Sequence, residues 1–218
     1  MTDTAGLEAA EVNTAARHLA RAMQEYNPEA RFAPCSTSLL ADIARHLPLS
    51  PELALWYSTL APAETLYVLQ RGNNLRLCPP AELVEAQLGY RWGSLPDEGG
   101  GERFEEWEDD WVVIADIGAD AIIAHIGLPG TPVFFSPHGE GEWNLSPLAP
   151  SLAAYLEALA RWIEIALIGT GAMHERNQLV AADRIWDNDG CYQLPVTAAL
   201  RAALRPLIGE ECLPQWIY

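Results

Sequence analysis

The stretch WEDDWVVIADIGADAIIAHIG, Trp107 to Gly127, begins as an acidic run and becomes two apolar segments separated by DIGAD. The segments WVVIADI and AIIAHIG are rich in β-branched residues, and Gly118-Ala119-Asp120 between them has the composition of a turn, so an antiparallel hairpin is expected. In that hairpin Asp116 alternates outward from Ile114 and Ile117, and Asp120 suits a turn whose backbone N–H groups a short carboxylate can bind. Downstream, TPVFFS reads as a third strand and PHGEGEWNLSP as a loop. Ser151 to Ile168 then sets Leu152, Tyr155, Leu156, Leu159, Trp162, Ile163 and Ala166 at helical spacing, a stripe expected to pack on the sheet.

Upstream, Leu7 to Tyr26 places Leu7, Ala15, Leu19 and Met23 on one face of an amphipathic helix that stops near Pro28. CSTSLLADIARHLPLSPELALWYSTLAP reads as two short helices. Ser36 or Thr37 caps the first, and Ser50 followed by Pro51 starts the second, whose buried face is Leu53, Trp56, Tyr57 and Leu60. Two short strands, Leu66 to Leu69 and Leu75 to Cys78, flank RGNN, where Gly72, Asn73 and Asn74 suit a hairpin turn; a helix from about Pro80 to Leu88 follows. The segment Gly93 to Asp110, GSLPDEGGGERFEEWEDD, holds four glycines and eight acidic residues against one arginine and reads as a solvated, mobile loop. The tail contains an irregular DRIWDNDG, Asp183 to Gly190, and a short helix near Val196 to Leu204.

A chain of 218 residues supports one sizeable core with added ends. Thirteen basic residues, all arginine, stand against 30 acidic ones, a formal net charge of -17. That excess makes nucleic acid and anionic membranes poor partners and favours a basic protein partner, with solubility alone as the competing account. No apolar stretch approaches the ~20 residues needed to span a bilayer. The first residues are acidic where a signal peptide is basic, so a cytoplasmic location is expected. Cys35, Cys78, Cys191 and Cys212 form no C-x-x-C pair and are expected to be buried thiols, with no metal or cofactor.

Catalytic readings fare poorly. Asp116 and Asp120 are candidates for a paired-carboxylate site, but the turn accounts for both without chemistry. His125, His138 and His174 have no zinc-ligand spacing, and His125 within an apolar strand is expected to be a satisfied, partly buried histidine. DRIWDNDG lacks the spacing and terminal Glu of a calcium loop, and there is no nucleophile elbow or phosphate-binding loop. The acidic loop is the stronger candidate: Glu102, Glu105, Glu106, Glu108, Asp109 and Asp110 crowd around Trp107 and Trp111, joining attraction for a basic surface to aromatic contact area. Trp143 is a second expected exposed anchor, whereas Trp111, first in its strand, is also a core candidate.

The order PLSPELALWYSTLAP, hairpin and helix, WVVIADIGADAIIAHIG, then VFFSPHGEGEWNLSPLAPSLAAYLEAL resembles the SMI1/KNR4-like (SUKH) superfamily over roughly Ser38 to Ile168. Leu49, Pro51, Trp111, Gly118, Asp120, His138 and Ser151 fall where that family's features lie. The turn lacks the family's second Gly, His125 replaces a common acidic residue, and the Asp-His-Glu pattern around His138 is only partly kept. The resemblance implies an α+β fold with a mainly antiparallel sheet flanked by helices. The expected organisation is an N-terminal helix over 1–30, a core domain of that type over 31–168 and a C-terminal extension over 169–218 packed on the core. The resemblance also implies an immunity protein that covers the active site of a cognate secreted toxin, such as a nuclease or other basic effector domain. A regulatory scaffold with several protein partners is the alternative, and no enzymatic activity is expected.

Overall fold

The computed structural model describes residues 4–70, 73–96, 101–139, 142–171, 174–175, 178–179 and 194–217. Helix α1 (Thr4–Tyr26) is followed by strand β1 (Phe32–Ala33), α2 (Thr37–Ala44), α3 (Pro51–Leu60) and β2 (Ala61–Pro62), with β1 and β2 paired. The caps follow the sequence: Ser36 Oγ accepts from Leu39 N at 3.2 Å and Ser50 Oγ from Leu53 N at 3.1 Å, satisfying amides that a helix start leaves open. Leu53, Trp56 and Tyr57 are buried as expected, while Leu60 is half-buried.

Six strands form one antiparallel sheet in sequence order: β3 (Leu66–Gln70), β4 (Asn73–Leu77), β5 (Trp111–Ile117), β6 (Asp120–His125), β7 (Val133–Ser136) and β8 (Ser146–Ala149). The molecule is thus α+β, and both expected hairpins are present, although Asn73 and Asn74, expected in the first turn, are strand residues of β4 paired with Gln70 and Leu69. Gly72 of the first turn, like Cys191 and DRIWDNDG, lies outside the described residues. Strand β8 begins at Ser146 and Pro147, within the segment expected to be a loop; Pro147 donates no backbone bond, and β8 sits at the sheet edge where that is tolerated.

One sheet face carries Leu66, Val68, Leu75, Leu77, Val112, Ile122 and Ala124 into the main core, where α1, α3 and α4 (Leu152–Trp162) meet them. Helix α4 does not run on to Ile168 as a single α-helix; it widens into a π-turn over Ile163–Leu167 and ends in a 3-10 turn capped by Gly171 at φ 77°. Its partner is α1: the His18 ring lies 2.7 Å from Glu157 and 2.8 Å from Glu164. Helices α5 (Leu194–Ile208) and α6 (Pro214–Ile217) close the core, with Trp216 Nε1 donating to Leu148 O at 2.9 Å.

Residues 80–88 form two 3-10 turns, Pro80–Glu82 and Glu85–Gln87, where one helix was expected. The reason is Gln87, fully buried, whose carboxamide reaches strand β5: Nε2 donates to Val113 O at 2.9 Å, and Oε1 accepts from Val113 N at 2.9 Å. Strand β4 ends opposite Ala115, so this side chain takes the place of a peptide group beyond the end of its neighbour strand. At the same point β5 bulges between Val113 and Ala115. The extra residue shifts the inward–outward alternation by one, so Ile114 and Ala115 both join the main core and Asp116 lies on the opposite face.

Candidate partner-binding site

The face of the sheet away from the helices has its own small core of Tyr90, Trp107, Val113, Ala121 and Ile123, flanked by Trp111, Trp143 and Leu145. Trp107 is its plug: 1% exposed, it lies 5.4 Å from Trp111 and 5.1 Å from Trp143, edge-on to both, and donates from Nε1 to Trp111 O at 3.0 Å. This corrects the expectation that Trp107 offers open aromatic area: β5 and β6 carry apolar side chains on both faces, and Trp107 covers the second. Trp143 is half-buried, backed by Trp107 and by Tyr90 at 5.6 Å, and is not a free-standing anchor either.

The acidic segment around Trp107 is tied down over its described part. Gly93 N bonds Glu102 O, and Phe104 N bonds Arg91 O, so the chain returns alongside itself. Two arginines clamp the far end. Arg91, 6% exposed, donates from Nη1 to Asp109 O at 3.0 Å and lies 3.4 Å from the Asp109 carboxylate. Arg103 pairs with that same carboxylate and donates to Trp107 O at 2.8 Å. Burial, with Arg103 nearby, lowers the Arg91 guanidinium from its ordinary value, and Asp109 and Asp110 oppose that shift. Asp110 lies directly against Gly127, where any side chain would displace its carboxylate. Asp109 is therefore a structural counter-ion. Glu102, Glu105, Glu106, Glu108 and Asp110 remain exposed along the crest.

The two aspartate candidates have scaffold partners. Asp116 is held by Arg76, both contacts at 2.7 Å, and Asp120 Oδ1 accepts from His138 N at 2.9 Å and lies 2.6 Å from its Nδ1. The two aspartates are thus committed to different partners, and the backbone bond expected of Asp120 comes from the loop after β7. His125 is half-buried beside Phe134, but its Nδ1 is buried with no hydrogen-bond partner among the described residues, so the expected satisfied histidine is corrected at that atom. Of the side chain of His174 nothing is described. Among the described residues no three His, Cys, Asp or Glu side chains converge to hold a metal, and no helix is long and apolar enough to cross a membrane.

Sequence reading missed Arg91, Arg103 and Gln87. Arg103 had a signal, as the one cation within an acidic run; Arg91 and Gln87 act across the fold and had none. No protein-family model matches the chain, and no curated protein matches its sequence.

Proposed function

We propose that the protein is an immunity protein of SMI1/KNR4-like type that binds a basic, secreted bacterial toxin and covers its active site with the acidic crest. The observation that carries this reading is the contrast within one short segment: Trp107, Arg91 and Arg103 fix the backbone, while the carboxylates of Glu102, Glu105, Glu106 and Glu108 project from it with no ion-pair partner among the described residues. Like charges held together cost stability, and an opposing surface that neutralises them gains both steering and complementarity. A fixed loop also binds with less ordering cost than a free one. The quoted likeness to the SMI1/KNR4-like superfamily supports the same reading, as does the net charge of -17.

The test is a titration of the purified protein with the product of the neighbouring open reading frame at low and high salt. A one-to-one complex of nanomolar Kd, weakening as salt rises, is the expected result. Absence of binding at micromolar concentration would remove the toxin reading in favour of a scaffold with several weaker partners.

A further inference from the structure

Beside the crest lies a cleft of about 340 Å³, at the small end of the ~300–1,000 Å³ typical of ligand sites. Phe104, Glu106, Glu142 and Trp143 line it, together with Gly89 and Pro137. Phe104 is among the few large apolar side chains left open, at 36% exposed. Trp143 is held in place by Trp107 and Tyr90 at 5.1 and 5.6 Å. Glu106 and Glu142 are exposed, and neither has an ion-pair partner among the described residues, in contrast to Asp109 with its two arginines.

Two aromatic rings beside two uncompensated carboxylates select a particular chemistry. Anions are repelled, and a hard metal ion finds too few oxygen ligands. An organic cation gains from the ring faces and the carboxylates together. Among such cations a guanidinium is favoured over an ammonium, because it is planar, stacks on aromatic faces, is weakly hydrated and presents forked donors to a carboxylate. We propose that this cleft receives one arginine side chain of a protein partner, stacked against Phe104 and Trp143 and paired with Glu106 and Glu142. The proposal rests on the toxin-binding reading of the adjacent crest and names the partner group that it takes.

The probe is N-acetyl-arginine amide, titrated into the full chain while the Trp143 indole and Phe104 ring resonances are followed by NMR. Saturable shifts at millimolar probe are expected, absent with the neutral citrulline counterpart and weakened about fivefold in the Glu106→Gln/Glu142→Gln variant, whose exposed substitutions leave the fold intact. Absence of saturable shifts, equal shifts with citrulline, or tighter binding of tetramethylammonium than of the arginine probe would overturn it. The same variant and Phe104→Ala are then titrated with the neighbouring gene's product. Weakened complexes support the cleft. A tight complex unchanged by both variants overturns the cleft and leaves the proposed function standing, whereas saturable probe binding without any wild-type complex supports the cleft and removes the toxin.

Discussion

Ala119 has φ 83°, in the left-handed region that a residue with a Cβ adopts at a cost. It follows Gly118, at φ 58°, in the two-residue turn between β5 and β6, and its carbonyl accepts from Tyr90 Oη at 2.8 Å. A Gly-Gly turn would meet the same geometry without that cost, so Ala119→Gly is expected to stabilise the protein by about 1 kcal/mol, read as a raised urea midpoint with an unchanged slope. The sequence already marked this position, because the second glycine of the resembling turn is missing there. Other residue-level features were hidden. Nothing in FEEWEDD distinguishes Trp107, fully inserted, from a tryptophan facing water, because that depends on which face of β5 is left bare. Nor does adjacent sequence separate Asp109, which takes both arginines, from its neighbour Asp110: Arg103 is near enough to pair with either, and the buried Arg91 lies 18 residues away.

At the scale of elements, local patterning was enough for the helices and the central hairpins, whose caps, turns and apolar runs are all contained in short windows. It failed where long-range contacts decide the backbone. Residues 80–88 have helical composition, yet Gln87 is drawn to Val113 and the segment tightens into two 3-10 turns. Strand β8 was concealed by Pro147, which only an edge position tolerates. The bulge in β5 was equally invisible, although it puts Asp116 beside Arg76 and keeps it out of the main core. Gln87 is the residue on which this part of β5 depends. Gln87→Leu conserves volume but strands the amide and carbonyl of Val113 without their partner, with an expected loss of about 3 kcal/mol in equilibrium unfolding. An effect below about 0.5 kcal/mol would show that those groups are not dependent on the side chain.

For the molecule as a whole, the main core holds protonated thiols and phenols. Burial pushes the Cys78 thiol up to about 12 against the pull of Arg76, pushes Cys212 up to about 11, and raises Tyr57 and Tyr155 above their ordinary values. The folded state therefore keeps protons that the unfolded chain releases once pH passes the ordinary thiol value of 9.0. Stability contributed by these groups is complete below that pH and declines as pH rises toward about 12 for Cys78. Cys78→Ala should make the alkaline decline shallower, by up to ~1.4 kcal/mol per pH unit for the lost proton. Urea unfolding followed across that range checks it; an identical slope in wild type and variant would contradict the assignment.

The other whole-molecule property is the charge of -17 and its concentration on a crest secured by Trp107, Arg91 and Arg103. Steering by such a surface is a rate effect that salt screens, so association kinetics test it more directly than affinity does. The decisive comparison is the association rate with the neighbouring gene's product, across a salt series, for wild type and for Glu105→Arg/Glu106→Arg/Glu108→Arg, which spares the clamped Asp109. Association at least about tenfold slower at low salt, a flattened salt dependence and an unfolding stability no lower than that of wild type are expected. Equal rates and equal salt dependence in the two proteins would contradict it.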